Sequence, residues 1–188
     1  MSLMPHIPLR HGLVRHDLGP ILWLLPLALF YLFVASQNQA LGFFTDAIYY
    51  LRLAEALAPG ESATSMTAAL AMSPHPPGFP LLLASLDASV ATITRAHVVT
   101  IMTLLMALGL FYIWQRRLAL PGWLAGLNTL AFGLTAQVFI HGLLIASEYP
   151  YLMWSLLALV LFAQERRHAG HLALVALAVA LAALTRSV

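Results

Sequence analysis

The chain has 188 residues, of which 61% are hydrophobic and only 9% are charged, and its mean hydropathy is +0.87. A soluble domain carries about 25% charged residues, so a chain this poor in charge could not cover its own surface with polar groups. The composition therefore predicts an integral membrane protein. There is no cysteine, which excludes disulfides, thiolate nucleophiles and zinc sites built on cysteine. The net charge of +2 comes from scattered arginines, a pattern that argues against a nucleic-acid surface.

Long apolar segments recur along the chain, and each approaches the length of about 20 residues that a helix needs to cross a bilayer. The first follows a basic stretch, as a signal peptide would, but it is too long for one and ends in polar residues without a cleavage site. We therefore expect it to be an uncleaved span. The predicted spans are 19–36, 97–115, 122–145, 148–164 and 170–185.

Arginine clusters predict the orientation of these spans, because arginine is enriched in cytoplasmic loops. The N-terminus and two later loops are expected in the cytoplasm, so the loop 37–79 and the turn near residue 148 lie on the outer side. The arginines concerned are Arg10, Arg15, Arg116, Arg117, Arg166 and Arg167.

This count leaves two interpretations of the segment 80–94. In the first, it is a short helix that dips in on the outer side and returns, which leaves Arg95 outside. In the second, it crosses the membrane fully, which puts Arg116 and Arg117 outside, against the charge rule. The first interpretation is favoured.

The outer loop is predicted to carry an interfacial helix over 45–58. Thr45 can cap its start, Asp46 suits the positive end of the helix dipole, and Pro59 with Gly60 ends it. A Ser/Thr/Ala-rich stretch over 61–72 follows and is expected to be mobile. Prolines then stiffen the entry to the next helix.

Scarce polar groups are the candidates for chemistry. Asp46 and Tyr50 are four residues apart and share one helix face, and Glu148 lies at the outer end of a span, where an acid is costly unless it faces water or a cation. His75 and Arg95 bracket the proline-rich entry and could hold a phosphate. Under the favoured topology Asp46, His75, Arg95 and Glu148 share one membrane side. The simpler alternative is that the acids favour helix starts and that Arg95 reaches lipid headgroups.

Other motifs are missing or local. The chain has neither an HExxH metal motif nor a GxxxxGK nucleotide loop, which argues against an ATP-driven machine within this stretch. Asp87 is close enough in sequence to pair with Arg95, and no function is assigned to it.

The order of these motifs resembles the front of GT-C-fold glycosyltransferases, specifically the dolichyl-phosphate-mannose protein mannosyltransferase-like family. In that family an acid follows the first span in an Asp-x-x-x-Tyr helix, a Pro-Pro segment opens the next helix, an arginine follows, and a later acid opens a further span. A basic residue then follows another apolar run. The matching segments here are 45–50, 75–84, 147–151 and 184–186.

The resemblance implies an all-α polytopic membrane protein, a GT-C-like transmembrane helix bundle whose outer loop carries interfacial helices. It implies inverting transfer of a sugar from a polyprenyl-phosphate donor to an acceptor on the outer face. Asp46 would be the general base and Glu148 a second catalytic acid that orients the acceptor or a metal. Tyr50, His75 and Arg95 would bind substrate, with Arg95 and His75 facing the phosphate.

The implied partners are the polyprenyl-phosphate sugar, a lipid, protein or glycan acceptor, and membrane lipids, with no nucleic acid. No organic cofactor is expected, and a divalent metal is left open with Asp46 and Glu148 as its candidate ligands. The implied location is a bacterial inner membrane, with several passes and a cytoplasmic N-terminus.

Two departures from the family stand out. His75 occupies a place where the family often has lysine, and the chain is much shorter than family members. We therefore expect residues 1–188 to be the N-terminal part of such a domain, whose activity alone is an open question. The alternatives are a transporter, which would place polar residues near the bilayer midplane, and a non-catalytic membrane scaffold subunit.

Overall fold

The computed structural model describes residues 19–38, 46–164 and 168–186, and within those residues it contains helices and no strand. The helical class predicted above is therefore confirmed. Thr45 and four of the arginines used for orientation, at positions 10, 15, 166 and 167, lie outside the described residues. The helices are α1 (Gly19–Leu22), α2 (Leu25–Gln37), α3 (Asp46–Ala56), α4 (Ala63–Met72), α5 (Gly78–Ser85), α6 (Ile93–Arg117), α7 (Gly122–Gly133), α8 (Ala136–Gly142), α9 (Glu148–Phe162) and α10 (Ala169–Thr185).

Helix α6 is the central element of the bundle. It packs along α2 on one side and α9 on another, and α9 in turn packs along α10. Ile101, Leu104 and Leu108 of α6 are almost fully buried and join Tyr31 of α2 in one apolar cluster. Recurrence at three- and four-residue intervals places these side chains on one helix face.

One helix among the described residues is long and apolar enough to cross a membrane by itself. It runs from Val90 to Arg117 and includes the 3₁₀ turn that leads into α6. The helices α2, α9 and α10 are apolar but shorter, with 13, 15 and 17 residues. The predicted number of crossings therefore stays a prediction.

The continuous helix expected over 122–145 is broken. Helices α7 and α8 are bent by 59° relative to each other and would provide a second crossing only as one broken span. Thr135 starts a new helix because its side chain accepts a hydrogen bond from the Val138 amide. At the break, the Tyr31 hydroxyl donates to the Gly133 carbonyl at 2.8 Å, which ties α2 to the bend.

The segment 80–94 also differs from its prediction as one short helix. Helix α5 begins at Gly78 and ends at Ser85, and a turn follows in which Asp87 has a φ of 53°. Ser89 and Thr92 then form a capping box that starts the 3₁₀ turn running directly into α6. Arg95 pairs with Asp87 across this turn, which confirms the predicted local ion pair.

The loop between α2 and α5 contains two helices. The helix predicted over 45–58 is α3, which buries a face that includes Tyr50, Leu51 and Ala54. Gly60, with a φ of 103°, follows its end. The stretch expected to be mobile forms α4, because Ser62 caps it by accepting from the Ser65 amide.

Candidate functional site

Four helix ends meet at one place in the bundle. The first turns of α3, α5 and α9 lie beside the last turn of α10. Tyr50 of α3 reaches Ser147, which precedes α9, at 3.1 Å between hydroxyl oxygens. Gly78 of α5 lies against the carbonyl of Leu184 in α10, so closely that a Cβ on the glycine would be 2.6 Å from that oxygen. Segments far apart in sequence thus share one end of the fold.

Asp46 opens α3, and its carboxylate lies 3.7 Å from Nε2 of His75. The Asp46 side chain is 54% exposed, whereas that of His75 is 20% exposed. The His75 ring packs against the rings of Tyr49 and Tyr50, whose centroids lie 5.7 and 5.0 Å from its own. An accessible carboxylate therefore stands beside an imidazole whose position is fixed by packing.

Tyr50 lies at the centre of the cluster rather than at its surface. Its ring also contacts Phe79 at 5.2 Å, and its residue surface is 6% exposed. Burial raises the pKa of Tyr50 above its ordinary value, the hydrogen bond to Ser147 opposes that rise, and the charges of Asp46 and Glu148 add to it. The charges of both acids therefore act on the same phenol group. The sequence predicts that Tyr50 binds substrate. In the structure its contacts are with neighbouring side chains, which suits a role in holding them in position.

Glu148 occupies the first turn of α9, and its carboxylate lies 3.5 Å from the guanidinium of Arg186. Arg186 is the residue that follows α10, so the pair ties the start of one helix to the end of the other. The Glu148 side chain is 34% exposed and the Arg186 side chain is 47% exposed. The second predicted acid therefore has a cationic partner that was noted in the sequence only through the family resemblance.

Arg95 lies in a different setting. It donates to the carbonyl and the carboxylate of Asp87, and it borders an apolar groove of about 520 Å³ between α5, α6 and α9. Leu82, Met102 and Trp154 line this groove. Of the predicted site residues, the structure brings together Asp46, Tyr50, His75 and Glu148, and it gives Arg95 its own ion pair.

The metal left open by the sequence finds no complete protein site among residues 19–38, 46–164 and 168–186. No group of three or more His, Cys, Asp or Glu side chains in these ranges could hold an ion. A divalent cation at Asp46 or Glu148 would have to complete its shell with oxygens of water or substrate, as Mg²⁺ commonly does.

Sequence reasoning missed Ser147 and did not place Arg186 in the site. Ser147 is 3% exposed and forms its bond to a tyrosine 97 positions earlier. Neither residue carries a local pattern that marks it, since a serine before a helix reads as an ordinary cap.

Comparisons with protein-family models, with curated proteins and with solved structures found no match for this chain.

Proposed function

We propose that this chain is part of a membrane glycosyltransferase that moves a sugar from a polyprenyl-phosphate donor to an acceptor hydroxyl. The observation that carries the proposal is the Tyr50–Ser147 hydrogen bond, which joins the segments of Asp46 and Glu148, with a basic partner beside each acid. The two acids are 102 positions apart in sequence, so no local helix preference explains why they share a site.

The arrangement suits an inverting displacement. The acceptor oxygen attacks the anomeric carbon, and its proton passes to the Asp46 carboxylate, which is exposed enough to reach it. The bond from the anomeric carbon to the phosphate oxygen breaks, and the electron pair stays on the phosphate. Arg186 and the His75 imidazole supply positive charge or a hydrogen bond where that charge develops.

Location in a membrane is part of the proposal. Large apolar side chains of α10 are exposed, among them Leu172, Leu174, Leu177 and Val179, each near half-exposed. A continuous apolar surface of this kind marks contact with lipid or with another protein. The groove beside Arg95 offers apolar walls on the same bundle.

The test measures cleavage of the donor, because the prenyl phosphate that cleavage releases is the same for every acceptor. The purified chain in lipid nanodiscs would be incubated with short-chain prenyl-phosphate sugars carrying hexoses or pentoses, with and without Mg²⁺ and with lipid acceptors. Release of free prenyl phosphate would be followed by mass spectrometry. We expect release by the wild type and a loss of at least 100-fold in Asp46→Asn, since general-base catalysis contributes about 10²–10⁴-fold.

Asp87→Asn is the matched control, because Asp87 is also an acid paired with a basic side chain but lies outside the cluster. It should retain release. Equal release by wild type and Asp46→Asn would remove the role given to Asp46. No release by any protein, with folding intact, would show that residues 1–188 do not cleave the donor by themselves, as the scaffold alternative requires.

A further inference from the structure

The Glu148–Arg186 ion pair has the features of a contact that a bound anion can replace. Its 3.5 Å separation exceeds the 2.7–2.9 Å typical of a charge-assisted hydrogen bond between a nitrogen and a carboxylate. Both side chains are more than one-third exposed, and exposed ion pairs contribute little to stability because water and salt screen them. The pair can therefore be opened at little cost by an ion that binds Arg186 better.

Charge within the cluster limits what can enter it. Asp46 and Glu148 contribute two negative charges, whereas Arg186 is the one arginine among the described residues of the cluster. Each of these carboxylates repels an incoming phosphate. Glu148 is the carboxylate bound to the arginine, so it is the group that an anion must replace.

The position of Glu148 adds a second reason for competition. It lies in the first turn of the 15-residue helix α9, where the helix dipole favours negative charge. A phosphate oxygen seated on Arg186 would benefit from the same end of the helix. The carboxylate and the anion therefore compete for the arginine and for the helix terminus together.

We infer that Glu148 occupies Arg186 in the resting protein and is displaced from it by the phosphate of an anionic substrate. The displaced carboxylate is then free to accept a hydrogen bond from the acceptor hydroxyl. Binding of the phosphate-bearing substrate thus prepares the site for the second substrate. The identity of the anion as a phosphate ester rests on the proposed function, whereas the competition rests on the ion pair.

The competition is tested by binding alone. Decyl phosphate would be titrated calorimetrically into the full chain in nanodiscs of zwitterionic lipid, with decanol as the uncharged probe. Because an exposed pair contributes up to about 1 kcal/mol, Glu148→Gln should bind decyl phosphate about two- to five-fold more tightly than wild type. Decanol binding should be unchanged.

Arg186→Gln and the double variant with Glu148→Gln complete a double-mutant cycle. Arg186→Gln should weaken binding of decyl phosphate, and the gain from Glu148→Gln should be smaller in the Arg186→Gln background. Asp87→Asn removes a carboxylate from the other ion pair and should leave affinity unchanged. Glu148→Asp, which keeps the charge on a shorter side chain, should give a smaller gain and replaces Glu148→Gln if circular dichroism shows that variant unfolded.

Unchanged or weaker binding in Glu148→Gln, or an equal gain without Arg186, would overturn the inference. A loss of affinity in Glu148→Gln that depends on added Mg²⁺ would assign the carboxylate to a metal instead. Loss of donor cleavage in Asp46→Asn with no gain in Glu148→Gln would leave the proposed function standing without this inference. A gain in Glu148→Gln with no donor cleavage by the wild type would do the reverse.

Discussion

The hydroxyl group of Tyr50 lies 3.1 Å from that of Ser147, and both residues are almost fully buried. Asp46 lies one helical turn before Tyr50, and Glu148 directly follows Ser147. One buried hydrogen bond therefore connects the two segments that carry the candidate acids.

Removing this bond should loosen the site more than the fold. Tyr50→Phe and Ser147→Ala should each lower the free energy of unfolding by about 1 kcal/mol, the usual net contribution of a hydrogen bond, with part of the loss shared between them. Denaturant unfolding in detergent measures this. Tyr31→Phe is the control, since it removes another buried tyrosine bond, to Gly133, away from the cluster. We expect all three to lose stability but only the first two to lose donor cleavage.

Alkaline pH should act through Tyr50. Because its pKa is raised in the folded protein, the unfolded chain loses this proton first as pH rises. The unfolded state then binds fewer protons than the folded state, so this contribution to stability is complete below about pH 10, the ordinary pKa of tyrosine, and declines above it. The unfolding free energy of wild type should fall more steeply above pH 10 than that of Tyr50→Phe. Parallel curves would contradict the burial of the phenol.

Substitution of Gly78, at the contact between α5 and α10, and of Gly109, in α6, should have opposite effects on stability. Gly78→Ala would put a methyl group 2.6 Å from the Leu184 carbonyl oxygen and should cost about 1–3 kcal/mol, as overpacking does. Gly109→Ala in α6 meets nothing within 4 Å and should stabilise the helix by about 1 kcal/mol. Thermal unfolding of the two variants measures the difference, and equal values would contradict the close approach.

The orientation can be mapped by single cysteines, since the chain has none of its own. Thr64→Cys in α4 and Leu118→Cys after α6 both place the thiol at exposed positions. In intact cells, a membrane-impermeant maleimide should label Thr64→Cys and spare Leu118→Cys until the cells are opened. Labelling of both in intact cells would favour a full crossing by residues 80–94.

The sequence predicted what is decided locally. The Asp87–Arg95 pair spans eight residues, and the start of α3 at Asp46 follows from helix-terminus preferences, so both could be inferred without a structure. The pairing of Glu148 with Arg186 depends instead on how α9 and α10 pack along each other. The break between α7 and α8 depends on a capping bond at Thr135 inside an apolar run, where hydropathy alone indicates one helix.

The close approach of Gly78 to Leu184 has a consequence for the order in which the protein is made. The contact between α5 and α10 cannot form until Leu184, more than a hundred residues after Gly78, has left the ribosome. Asp46 and His75 are synthesised early, but the arginine beside Glu148 arrives only after the last described helix. Contacts between such distant segments form late in folding, so a nascent chain interrupted before α10 would hold both acids without the cation beside Glu148.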